Sequence, residues 1–148
     1  TSRGLGDVYK RQALTSTKRN FRGAFFSPTR VQSKLVAWDY LKEFARKIPG
    51  TKFNETELRA DFATGGRIAL FGADNPDASR GQYFDFCCCD EYSQMDSRMF
   101  AEVIRPAIAD RLGSVLFIGF LSYLYKQYKD HGKKFNLLTF FLGTDKCS

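Results

Sequence analysis

The sequence predicts an α/β fold: a mainly parallel sheet flanked by helices. Three observations carry that expectation. Residues 23–27, 83–89 and 114–118 are short, nearly continuous apolar runs, as in strands buried on both faces. The stretches 31–45 and 95–109 repeat apolar residues at helical spacing. Strand and helix also alternate along the chain, and parallel strands need such crossovers.

Each element follows from its residues. Gly23-Ala24-Phe25-Phe26-Ser27 reads as a strand, and Pro28 ends it because proline cannot donate to a ladder. Val31, Leu35, Trp38, Leu41, Phe44 and Ala45 then form one apolar helix face, stopped by Pro49-Gly50. Residues 52–54, 57–62 and 67–71 read as short strands, the last two joined through Ala63-Thr64-Gly65-Gly66, whose glycines suit a hairpin. Residues 72–77, GADNPD, have loop chemistry. Tyr83 to Cys89 is the most apolar strand. Met99, Val103 and Ile104 share one side of a second helix that Asp96 or Ser97 would cap. Ser114 to Ile118 closes the pattern as another buried strand.

Composition narrows the function classes. A chain of 148 residues with 43% hydrophobic and 26% charged residues is globular and sized for one domain. No apolar run approaches the roughly 20 residues of a membrane span. The opening TSRGLGDVYKRQ lacks the apolar core of a secretory signal, so nothing directs the chain out of the cytoplasm. The formal charge of +7 invites nucleic-acid binding, although the cations are scattered and equally suit a solvated basic surface. Cys87, Cys88 and Cys89 are consecutive, so neighbours point to opposite faces of a strand and cannot converge on one tetrahedral metal. They are expected to be small apolar filling.

The chemistry concentrates in FDFCCCDE, Phe84 to Glu91. A buried strand that delivers Asp90 and Glu91 at its carboxyl end suits nucleotide hydrolysis, because ligands bind beyond the carboxyl ends of parallel strands. In such a site the first carboxylate holds Mg²⁺ and the second orients and deprotonates water. A strand that merely ends in two solvated acids has the same local pattern. The second apolar strand one helix later adds the βαβ context.

Several segments in one order carry a resemblance: Val36-Ala37-Trp38-Asp39-Tyr40-Leu41, Gly72-Ala73-Asp74-Asn75-Pro76-Asp77, Arg80-Gly81, Cys89-Asp90-Glu91-Tyr92, Arg105-Pro106-Ala107 and Phe117-Ile118-Gly119. From Arg22 to Gly119 the chain resembles the ATPase domain of phage terminase large subunits. The resemblance implies a P-loop NTPase core of the ASCE type that uses ATP and Mg²⁺ to thread double-stranded viral DNA into a procapsid. It also implies a separate nuclease domain, a homo-oligomeric ring, the portal protein and terminase small subunit as partners, no membrane, and the host cytoplasm as location. Asp90 matches the family's magnesium-binding Walker B aspartate, and Glu91 its catalytic glutamate. Thr29, in Ser27-Pro28-Thr29, matches the segment after the second core strand, where it would equally cap a helix. Arg80 would face phosphate or a neighbouring subunit, or be a solvated loop arginine. Gly119 stands where the family's coupling motif begins, and Trp38 and Tyr40 suit packing better than base stacking.

Two departures qualify the resemblance. No GxxxxGK[ST] phosphate loop occurs in the sequence. Residues 1–12 resemble a translated sequencing adapter, so residues 13–135 are expected to be a partial ATPase domain without its phosphate-loop segment, inactive alone although its parent would be an ATPase. The coupling motif Gly-Thr-Pro is replaced by Gly119-Phe120-Leu121. Residues 121–128 suit an amphipathic helix, and residues 136–148 follow no period, as a frameshift or assembly error near Gly119 would leave them. Two other readings stay open: another P-loop or helicase-like ATPase, and a non-catalytic basic DNA-binding module.

Overall fold

A computed structural model describes residues 19–119 and the short strand Asp145–Lys146. The expectations for residues 1–12, for a helix over 121–128 and for most of the tail 136–148 lie outside the described residues.

The apolar runs become the middle of a seven-stranded sheet. Strand β1 (Arg22–Ser27) lies at its centre, hydrogen-bonded in parallel to β4 (Arg67–Gly72) and to β5 (Phe86–Cys89). β5 pairs in parallel with β6 (Ser114–Phe117). On the far side, β3 (Arg59–Asp61) pairs antiparallel with β4 and β2 (Lys52–Asn54) antiparallel with β3, and β7 (Asp145–Lys146) runs antiparallel to β6. The order is β2-β3-β4-β1-β5-β6-β7. The core is therefore parallel, as expected, with antiparallel edges. The expected hairpin joins β3 to β4: the Phe62 N–H donates to Gly66 O at 2.9 Å, and Gly65 has φ +81°, which glycine adopts without strain.

Alternation along the strands sends side chains to two cores. Ala24, Phe26, Cys87, Cys89 and Val115 meet Met99, Val103, Ile104, Ala107 and Ile108 of the second helix. Phe25, Cys88, Ile68 and Leu70 meet Ala37, Trp38, Leu41 and Ala45 of the first. Each fully buried large side chain contributes about 1.5–3 kcal/mol, so both helix faces matter to stability. Cys87, Cys88 and Cys89 are fully buried free thiols that pack to alternate sides, as their spacing requires.

The first helix comprises Arg30–Ser33, a π-helical turn Lys34–Trp38 and Asp39–Ala45. Thr29 starts it with a capping box: its hydroxyl accepts from the Gln32 N–H, and the Gln32 side chain accepts from the Thr29 N–H. Asp74 accepts from the Arg30 N–H at 3.0 Å. Here the helix departs from the sequence reading, since Val31 and Leu35 are 67% and 76% exposed. The inward positions are Ser33 and Ala37, because this end lies too close to β4 for larger side chains. The Ser33 hydroxyl donates to Phe71 O at 2.6 Å, and a Cβ on Gly72 would lie 2.1 Å from the Arg30 nitrogen. Beyond the wide turn the predicted face returns, with Trp38, Leu41 and Ala45 buried.

The second helix, Met99–Ile104 in a π-helical stretch and then Arg105–Ala109, is preceded by Asp96, whose carboxylate accepts from the Arg98 N–H at 2.9 Å. Two expected boundaries shorten: β5 begins at Phe86 rather than Tyr83, and β3 at Arg59 rather than Glu57. Tyr83 is instead exposed beneath the Arg111 guanidinium, 4.2 Å from its ring centroid. No helix among the described residues is long and apolar enough to cross a membrane.

Candidate functional site

At the carboxyl end of β5 the chain turns sharply, and the candidate carboxylates lie in that turn. The Asp90 N–H donates to Phe26 O at 2.8 Å, which continues the β1–β5 ladder by one step and fixes Asp90 beside the end of β1. The Ile118 N–H donates to Cys89 O at 2.8 Å and holds the end of β6 against the same point. Glu91 follows in a left-handed conformation, φ 48° and ψ 44°, which a side chain with a Cβ adopts only at a cost. The reversal lets adjacent carboxylates leave the strand in different directions.

Packing behind the turn explains why it is held. Tyr92 is buried, and its ring centroid lies 4.6 Å from that of Phe117 on β6, with Phe100 of the second helix edge-on at 6.4 Å. This aromatic cluster pins the residue after Glu91 to the neighbouring strand. Gly119 comes to the same place: a Cβ there would stand 3.9 Å from Glu91 Oε2, and its φ is +96°. Asp90 and Glu91, which follow β5, and Gly119, which follows β6, thus share one corner of the sheet.

The two carboxylates differ in environment. Asp90 is partly buried and Glu91 is exposed. Burial, and then the charge of Glu91 next door, raise the Asp90 carboxyl above the ordinary aspartate value, opposed by a hydrogen bond from the Glu91 N–H. A group held this way gains from a cation. Glu91 makes a long contact with Gln94 Nε2 at 3.5 Å and otherwise faces outward.

The other named residues fall elsewhere. Thr29 is engaged as a helix cap. Arg80 pairs with Asp77 at 2.8 Å and with Glu102 of the second helix at 3.5 Å. Trp38 donates to Glu55 at 2.6 Å and packs edge-on against Phe53, in line with a packing role. A groove of about 500 Å³ is lined by Arg30, Val31, Lys34, Leu35 and Leu58 among others, on the outer side of the first helix and not at Asp90.

Sequence reasoning missed Ser27. It ends β1 beside Asp90, is 1% exposed, and its hydroxyl is the one buried side-chain polar atom among the described residues without a hydrogen-bond partner. A serine at the end of an apolar strand carries no signal of its own; only the lack of a partner marks it. A partnerless hydroxyl at the end of β1, on the strand next to a partly buried carboxylate at the end of β5, fits a hard, hydrated divalent cation such as Mg²⁺, which takes one or two carboxylates and keeps several waters. No group of three or more His, Cys, Asp or Glu that could hold a metal occurs among the described residues.

No family model matches the sequence, and no curated protein matches it significantly. Solved structures do match the fold. The large terminase ATPase domain of Thermus phage P74-26 superposes with a TM-score of 0.66 over 90% of this chain at 19% identity. The large terminase of another thermophilic bacteriophage gives 0.62 over 82% at 14% identity, and the complex of that terminase with ADP gives 0.55 over 74%. The chain spans 63% of the P74-26 domain and 34% of the second terminase. The mostly parallel sheet with its flanking helices thus has the fold seen in phage large terminase ATPase domains.

Proposed function

We propose that the chain is part of the ATP-hydrolysing motor of a phage terminase large subunit, with Asp90 and Glu91 as its metal-binding and water-activating carboxylates. The observation that carries this reading is the corner itself: a partly buried aspartate beside an exposed glutamate, at the carboxyl end of a parallel strand, in a fold shared with terminase ATPase domains. One of those neighbours is in complex with ADP, which supports a nucleotide as ligand.

Division of labour follows from environment. Mg²⁺, when bound, supplies charge neutralisation at the β- and γ-phosphates. Asp90, desolvated and fixed by the ladder, holds the positive charge. Glu91, exposed and turned out of the strand, is free to accept a proton from water. Gly119 keeps the space next to the Glu91 carboxylate open. Positioning and charge stabilisation supply nearly all of phosphoryl-transfer catalysis, so this chain, whose sequence has no GxxxxGK[ST] loop, does not hydrolyse ATP by itself.

In the whole protein this corner would drive double-stranded viral DNA into a procapsid in the host cytoplasm, as a ring of identical subunits on the portal protein working with the terminase small subunit. Arg80, exposed in the loop before β5, would act on phosphate or on a neighbouring subunit of such a ring by giving up its pairs with Asp77 and Glu102. The test uses a longer protein that joins this segment to a phosphate-binding loop. Asp90→Asn should abolish Mg²⁺-dependent ATP binding and DNA-stimulated turnover. Normal Mg²⁺-dependent binding in that variant would refute the assignment of Asp90.

A further inference from the structure

We propose that Ser27 is a positioning residue for the divalent cation held by Asp90, its hydroxyl hydrogen-bonding the hydrated ion. The inference rests on the metal-site reading of Asp90 and extends it to a second strand.

Three serines are buried among the described residues: Ser27, Ser33 and Ser79. Ser33 donates to Phe71 O at 2.6 Å and Ser79 to Pro76 O at 3.1 Å. Ser27 alone has no partner. Buried hydroxyls are nearly always satisfied, so an exception needs a reason.

Register supplies one. Phe26 pairs with Cys89, so Ser27 stands next to Asp90 one step on. Phe26 and Cys89 line the core under the second helix, whereas Phe25 and Cys88 line the opposite one. Alternation therefore brings Ser27 and Asp90 to the same face of the sheet. The partner of Ser27 on the other side is Gly72, which has no side chain to satisfy a hydroxyl. Ser27 itself is buried, but Leu116 and Ile118 on the same face of β6, towards the carboxyl end where Asp90 lies, are only partly buried. One carboxylate and one hydroxyl suit a cation that retains much of its water, Mg²⁺ or Mn²⁺.

The test titrates the full chain with Mn²⁺ alone, reading affinity from paramagnetic broadening of the backbone amides around residues 27 and 90. Ser27→Ala should weaken Mn²⁺ about three- to tenfold, the worth of one hydrogen bond. In metal-free protein the same change should raise Tm, because it removes an unsatisfied buried group. Asp90→Asn should abolish the localised broadening. Unchanged Mn²⁺ affinity in Ser27→Ala, with loss in Asp90→Asn, overturns the role of Ser27 and leaves the Asp90 site standing. No effect of either substitution overturns both. A lower Tm with unchanged affinity would mark Ser27 as a structural water ligand and also overturns the inference. Ser27→Cys, nearly isosteric and a weak hydrogen-bonder, should weaken Mn²⁺ in the same way if the alanine variant does not fold.

Discussion

Replacing Glu91 by glycine should stabilise the protein while removing its proposed chemistry. Glu91 has φ 48° and ψ 44°, a conformation that costs a residue with a Cβ about 1–2 kcal/mol. Glycine escapes that cost but gains freedom in the unfolded chain, worth about 0.5–1 kcal/mol against it. The balance is a gain of about 0.5–1 kcal/mol, to which relief of repulsion on Asp90 adds in the same direction. For a chain of 148 residues that corresponds to a rise in Tm of roughly 1–4 °C, readable by calorimetry or circular dichroism without metal. Leu112 provides a control away from the site, with φ 50° and 78% exposure just after the second helix. The Gly113 N–H donates to Ile108 O and the Leu112 N–H to Ala109 O, the closing pattern in which glycine is preferred at the left-handed position. Leu112→Gly should therefore gain a similar amount. A rise for Leu112→Gly with a fall for Glu91→Gly would mean that the Glu91 side chain makes a stabilising contact, and strain at that position would no longer explain the balance.

Other consequences can be measured on the chain itself. Gly72→Ala puts a Cβ 2.1 Å from both the Arg30 nitrogen and Asp74 Oδ1, so the helix start must move; urea midpoints should fall by the equivalent of about 1–3 kcal/mol, and an unchanged midpoint would contradict the close approach. Because the folded Asp90 carboxyl is raised, the folded state binds more protons than the unfolded state just above the ordinary aspartate value near 3.8, so this group's contribution to stability falls as pH rises through that window. Asp90→Asn should accordingly stabilise metal-free protein at neutral pH, with the gain fading as pH drops towards that value; a pH-independent difference would point to another cause. Burial raises the thiols of Cys87, Cys88 and Cys89, so none should be alkylated at pH 8 in native protein and all should react in urea, as mass mapping can check.

The sheet was legible in sequence because its central strands are apolar without interruption. Phe25, Phe26 and Cys87 to Cys89 face cores on both sides, and this leaves a signal that composition alone carries. The first helix was legible in its second half, where Trp38 and Leu41 are large and buried. Its first half misled, since close packing on β4 demanded Ser33 and Ala37 inside and left Val31 and Leu35 outside. Hydrophobicity does not encode interaxial distance, and a π-helical turn shifts the phase without a residue signature. Asp90 and Glu91 were legible because charge ends an apolar run. The backbone reversal at Glu91, its proximity to Gly119 and the isolation of the Ser27 hydroxyl depend on neighbours from other strands. Those features belong to the fold, not to any local stretch.

The central claim is that Glu91 activates water for ATP hydrolysis while Asp90 holds the metal. The most direct measurement compares Mg-ATP binding with steady-state hydrolysis for Glu91→Gln, in a longer protein that carries this segment together with a phosphate-binding loop. This division of roles predicts near-normal binding, with turnover reduced by about 10²–10⁴-fold, the usual worth of a general base. Turnover equal to the unsubstituted protein would contradict it.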